Sequence, residues 1–269
     1  MRFYRVERET VWSILQFIGG ELNLPHNTIL TDAYILIYKY HAYSIQQKKS
    51  GEINNAQLKI FKEGKLYKII TASLFHACKT NDNSKMLDDI FASLINSIQQ
   101  VQHSYDMSVN VEKIIGLTSK ENIQNKNFVI NDDGNIELTD SFKHELICVY
   151  ELLILDSICF SPLIYLNPFR YIKALSKKMI LGNFQICEKV TYFIYLILKS
   201  SQFLEIPINI IVAAATEVAY KSPNISAGNI EDSKVENVPL DVEQWIKFCK
   251  NQNFPAFENA ISICCYVNN

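Results

Sequence analysis

Glu145-Leu146-Ile147-Cys148-Val149-Tyr150-Glu151-Leu152-Leu153-Ile154-Leu155-Asp156-Ser157-Ile158 is the stretch on which the fold turns. Read from Ser141, it is too long for one strand and apolar on nearly every side of a helix. Such a helix is expected in the middle of a helical bundle, with neighbours all around it. Glu151 and Asp156 break the run, and the next apolar run, Val190 to Leu198, is far short of the ~20 residues needed to cross a bilayer. Upstream, helices are expected over Glu9 to Leu22, from Pro25 to about Ile45, over Lys59 to Lys79, and around Leu87, Ile90, Phe91, Leu94 and Ile98. Downstream of Asn167-Pro168, five more are expected near 169–180, 184–201, 207–220, 240–251 and 254–266, with Pro207, Pro239 and Pro255 close to three of the starts.

The composition agrees with an all-α chain. Among 269 residues there are only 8 Gly and 7 Pro, too few for the turns of a sandwich or the loops of a doubly wound sheet. The helix pattern divides into about five helices in 1–166 and five in 167–269. Residues 103–141 are polar, Asn-rich and without helical period, so they are read as an insertion. Within them Phe128-Val129-Ile130, Asp133-Gly134 and Ile136-Glu137-Leu138 spell a small hairpin. Gln47 to Asn55 and Lys221 to Val238 are read as polar loops.

The formal charge is −2, and nucleic-acid binding on phosphates is not expected without a basic excess. The charged start, Met1-Arg2-Phe3-Tyr4-Arg5, has no apolar core of a signal peptide, so a soluble protein is expected, with no membrane partner. Seven cysteines, an odd number without a C-x-x-C, read as small core hydrophobes in a reducing compartment, cytosol or nucleus. The five histidines (His26, His41, His76, His103, His144) are scattered, and the phosphate-loop, dinucleotide, zinc-protease and serine-hydrolase motifs are all absent. No catalytic residue, cofactor site or metal site is therefore assigned. Asn131-Asp132-Asp133-Gly134-Asn135 has some look of a calcium loop but lacks the terminal Glu, and reads as a hairpin turn. Lys59, Lys62, Lys65 and Lys68 read as a solvated helix face, and Asn224-Ile225-Ser226 as a glycosylation sequon with no secretory route.

Two charges stand in apolar surroundings. Lys79 ends Leu74-Phe75-His76-Ala77-Cys78, and Glu151 sits at the centre of the helix quoted above. An unpaired charge there is costly. Periodicity alone leaves two readings: each charge reaches water or a helix end separately, or the two helices bring them together at the rim of an apolar surface that a partner covers.

These residues resemble the cyclins. Leu74-Phe75-His76-Ala77-Cys78-Lys79-Thr80-Asn81-Asp82 is similar to the cyclin-box signature of small and apolar residues, a Lys and an acidic pair, with Asn81 replacing one acid. Glu145-Leu146-Ile147, Tyr150-Glu151-Leu152-Leu153-Ile154-Leu155, Phe160 and Pro168 resemble the fifth helix of the first box and the opening of the second. Ala213-Ala214-Ala215 with Val218-Ala219 suits the third helix of the second box. Ala77-Cys78-Lys79 and Asn167-Pro168-Phe169-Arg170 look most like the cyclin H branch. The resemblance implies two tandem five-helix cyclin-box domains, 1–166 with its insertion at 103–141, and 167–269. It implies a nuclear (also cytoplasmic) non-enzymatic subunit that activates a cyclin-dependent kinase through Lys79 and Glu151, with His76, Thr80, Leu155 and Phe160 beside them. A third assembly subunit of a CDK-activating kinase complex is implied by the branch. A second reading is a cyclin-fold module of the transcription factor IIB type, which needs a basic face that this chain lacks.

Overall fold

The computed structural model describes residues 5–50, 66–104, 110–117, 127–133, 135–161, 166–176, 184–200, 202–222 and 238–266. Among the described residues the fold is all-α apart from one two-stranded hairpin, and the chain divides into two compact units, Met1–Pro162 and Leu163–Asn269. Among the described residues, no helix is long and apolar enough to cross a membrane.

In the first unit α1 (Arg5–Glu21) starts four residues before the expected Glu9 and packs closely on the next element at Gly19, where a Cβ would run into the Leu30 side chain. A π-helical turn (His26–Leu30) follows Pro25, and the Thr31 hydroxyl donates to the His26 carbonyl at 2.8 Å. α2 (Thr31–Ser50) then runs on, so Gln47 to Ser50 are helical rather than part of a polar loop. Ala33 to Ile37 are all fully buried on it. α3 (Leu66–Thr80) and α4 (Leu87–Ser104) follow. Tyr67, Phe91 and Phe142 make an aromatic cluster, with Phe91 5.6 Å from Phe142 and 6.1 Å from Tyr67.

The polar segment holds more structure than its composition suggests. α5 (Val111–Ile115) lies inside it, capped by Asn110, whose Oδ1 accepts from Lys113 N at 2.8 Å, and closed by Gly116 at φ 72°. Five residues with two buried apolar positions are too few to show a period. β1 (Phe128–Ile130) and β2 (Ile136–Leu138) pair antiparallel as expected, Val129 facing Glu137. The turn is organised by Asn131, whose Oδ1 accepts from the backbone N–H of Asp133 and Asn135. Among the described residues no cluster suits a metal.

Three readings need correction. The helix quoted at the outset is not buried all round: it runs as α6 (Asp140–Glu145), a π-helical stretch (Leu146–Glu151) and α7 (Leu152–Ser157), with Ile147, Cys148 and Leu152 exposed. Lys68 is not on a solvated face; its Nζ donates to Glu145 Oε1 at 2.6 Å and lies 5.5 Å from the Phe142 and Tyr150 rings. Lys59, Lys62 and Lys65 lie outside the described residues, as does the sequon at Asn224. Cys78, Cys249 and Cys264 are buried core groups as expected, but Cys148, Cys159 and Cys265 are exposed. Burial pushes the Cys78 thiol up to about 11 and Cys264 to about 12, so both stay protonated and inert.

The second unit contains α8 (Pro168–Ser176), α9 (Phe184–Lys199), a short 3₁₀ turn (Phe203–Glu205), α10 (Ile208–Lys221), α11 (Leu240–Gln252) and α12 (Phe254–Tyr266). Asn167, fully buried, starts α8 by accepting from Phe169 N at 2.9 Å, with Pro168 at the first helical position, which needs no N–H partner. α10 is the centre of this unit. Ile210 to Thr216 are all buried on it, and Ala213-Ala214-Ala215 keep its surface narrow enough for neighbours α8, α9, α11 and α12 to approach.

Candidate partner-binding site

α3 ends on Lys79 and Thr80, where a cation complements the negative end of the helix. The stop is a left-handed turn. Asp82 sits at φ 53°, and Asn83 N–H donates back to the Cys78 carbonyl at 3.0 Å. Asn81, standing where the signature has an acid, donates through Nδ2 to Ala77 O at 2.7 Å and to the buried Asp32 of α2 at 3.0 Å. The end of the Lys79 helix is thus fixed to α2.

Opposite it, Glu151 closes the π-helical stretch. Its side chain is 6% exposed and its Oε1 accepts from Lys79 Nζ at 2.8 Å; His76 Nδ1 lies at 2.8 Å from the same oxygen. A carboxylate only accepts, so the His76 proton sits on Nδ1. Burial would raise the Glu151 carboxyl, but hydrogen bonds from His76 and Lys79, with the Lys79 charge, outweigh it and hold the carboxyl below its ordinary value. Lys79 remains half exposed and lies 5.1 Å from the Phe75 ring centroid. Of the two readings left open by periodicity, the structure realises the meeting of the charges.

The sign of the pH effect follows. A carboxyl whose folded pKa is depressed contributes stability above its unfolded value, about 4.3, and loses it as pH falls through the folded pKa. Wild type and Glu151→Gln are expected to differ in unfolding temperature near neutrality, and the gap should close as pH falls below about 4. A gap unchanged down to about pH 2 would show that Glu151 is not ionised and paired in this way.

The remaining expected residues, Thr80, Leu155 and Phe160, lie on the same two helices or just past their ends. Thr80 is exposed, its hydroxyl donating to the His76 and Ala77 carbonyls at 3.1 Å. Leu155, one turn after Glu151, is half-buried, and Phe160, past the helix end, is 61% exposed. The helix stops at a left-handed pair, Cys159 at φ 51° and Phe160 at φ 54°, with Phe160 N–H donating to Leu155 O at 2.9 Å. Just before it, the Tyr43 hydroxyl donates to Asp156 at 2.5 Å; that bond and burial push Tyr43 up to about 12.

An L-residue at left-handed φ costs about 1–2 kcal/mol, and the exposed Cys159 side chain offers little packing to offset it. Cys159→Gly is expected to raise stability by about 0.5–1 kcal/mol after the greater unfolded entropy of Gly is subtracted. Calorimetry checks this, and a lowered transition would mean that the thiol makes contacts the geometry does not show.

The sequence matches no family model and no curated protein. Among solved structures, the chain is similar to the crystal structure of the yeast RNA Pol II CTD kinase CTDK-1 complex, with a TM-score of 0.48 at 19% identity over 95% of this chain and 68% of that one.

Sequence reading missed Ile147 and Leu152, 39% and 53% exposed, and the Asp32–Asn81 and Tyr43–Asp156 ties. Ile147 and Leu152 are five residues apart across the π-helical stretch, a spacing that a period of 3.6 assigns to different faces. An Asp followed directly by the apolar run from Ala33 was the available signal for Asp32.

Proposed function

We propose that this chain is a cyclin-type regulatory subunit that binds and activates a cyclin-dependent serine/threonine kinase, in a CDK-activating or RNA polymerase II tail kinase complex. The observation that carries the reading is the buried Glu151 held by Lys79 and His76, with the exposed apolar Ile147 four residues before it and Leu152 directly after. A buried carboxylate with both donors on one oxygen keeps the other for a partner's backbone N–H, and exposed aliphatics on the same rod supply area to bury.

In this reading residues 1–166 and 167–269 are tandem five-helix cyclin boxes. Lys79, Glu151, His76, Thr80, Leu155 and Phe160 form the kinase contact. The subunit works by linkage: it binds one arrangement of the kinase's mobile helix better than the other, and the kinase's own Lys–Glu pair then forms. No group of this chain touches the reacting phosphate. A third assembly subunit and a nuclear location belong to the same reading. The transcription factor IIB-type alternative is disfavoured by a net charge of −2.

The test is a pull-down from lysate with wild type and Lys79→Ala/Glu151→Ala as baits. A kinase recovered by wild type and lost by the double variant supports both function and site. A kinase held equally by both removes the site, and recovery of DNA or nothing removes the function.

A further inference from the structure

The hairpin has an edge whose outward backbone groups make no hydrogen bond among the described residues. Thr139 N–H donates to Asn127 O and Asn131 N–H to Asn135 O, both at 3.0 Å, which sets the hydrogen-bonded pairs at 127/139, 129/137 and 131/135. Phe128 and Ile130 are the alternate positions, so their N–H and C=O groups point away from β2. Their counterpart Leu138 on the other strand obeys the same rule: its outward N–H is taken by Asp88 Oδ1 at 2.7 Å, which ties β2 to α4. β2 is thereby secured and β1 is the free edge.

Native edges are usually blunted by Lys, Pro or a bulge. β1 has none of these. Val129 is 55% and Ile130 65% exposed, on opposite faces of the strand, while Phe128 is anchored 5.7 Å from the Phe91 ring. The exposed charges of the hairpin and its turn are acidic, and the nearby cation Lys143 is already paired with Asp88 at 2.9 Å. Asp132, Asp133, Glu137 and Asp140 are exposed, and residues 127–140 contain no Lys or Arg.

We propose that β1 is a strand-addition site for an extended segment of a partner protein in which Lys or Arg alternates with β-branched residues. The segment's backbone would exchange hydrogen bonds with Phe128 and Ile130; its apolar side chains would lie on the Ile130 face, and its cations on the opposite face beside Glu137, near the turn that carries Asp132 and Asp133. A second copy of this chain is a poorer occupant, because its own hairpin would bring the same four acids against these.

The test is fluorescence anisotropy of the full chain with a labelled Lys-Val-Lys-Val-Lys-Val peptide, and with Glu-Val-Glu-Val-Glu-Val as control. The basic peptide is expected to bind, more weakly as salt rises, and the acidic one not to bind. Ile130→Pro removes one outward N–H without touching a β1–β2 bond and should weaken binding at least tenfold. Asp132→Asn/Asp133→Asn leaves the backbone intact and should weaken it severalfold, which guards against a hairpin disrupted by proline. Equal binding of both peptides, binding of neither, or binding unaffected by both variants overturns the proposal. So does a concentration-dependent dimer in sedimentation that Ile130→Pro abolishes, since the edge would then belong to a second copy.

Discussion

Under the proposed kinase-binding role, Glu151→Ala is expected to weaken capture of that kinase by about 2–5 kcal/mol, a loss of roughly 30-fold to several-thousand-fold in Kd. The size follows from what truncation leaves behind. Lys79 and His76 both bond to Oε1, so removing the carboxylate frees two donors and takes away the acceptor for the partner, all inside a surface that binding would dry. Lys79→Ala should cost less, because the ammonium is half exposed and is already solvated in the free chain. The Glu151 variant also carries a stability cost that a residue at the rim would not. Its side chain is almost fully buried, and the mostly buried His76 ring loses its partner, at about 1–3 kcal/mol. Binding is therefore measured by titration calorimetry at a temperature where both variants are shown to be folded. Undiminished affinity in both would remove these residues from the interface.

Helices such as α4 were legible in the sequence because their apolar residues recur every three or four positions, and α9 to α12 start within a residue or so of their expected positions. What escaped was set by hydrogen bonds rather than by apolar spacing. α5 depends on Asn110 and Gly116 more than on its two apolar side chains. The face of the α6–α7 rod depends on its π-helical stretch, which changes the phase of every residue after Leu146. Lys68 looked solvated because its partners, Glu145 and three aromatic rings, are mostly distant in sequence. For the candidate site the two charges could be picked out by their apolar context. Their meeting could not, since it requires knowing how α3 lies on the rod.

Phe142→Ala is expected to destabilise the first unit by about 3–5 kcal/mol. Phe142 is 2% exposed at the start of the rod, its ring 5.6 Å from Phe91 and 6.3 Å from Tyr67, with Lys68 Nζ 5.5 Å from its centroid. The substitution removes a fully buried ring and leaves a cavity that rigid neighbours cannot fill. It also takes one of three rings from around a half-buried cation. Against a typical total of about 5–15 kcal/mol this is a large share, and for a unit of this size each kcal/mol corresponds to about 2–4 °C in Tm. Thermal unfolding of wild type, Phe142→Leu and Phe142→Ala should fall in that order, and a shift under about 2 °C for the Ala variant would show that the cluster does not hold the unit together. The same variant separates scaffold from site. Glu151 lies nine residues further along the rod, about 13 Å at 1.5 Å per residue, and its bonds to Lys79 and His76 involve none of the three rings. On the proposed reading, folded Phe142→Ala should therefore still capture the kinase in the cold, whereas folded Glu151→Ala should not. Loss of capture in both would mean that the rod moves as a whole when the cluster loosens, and that the site is set by its far end as well as by its own contacts.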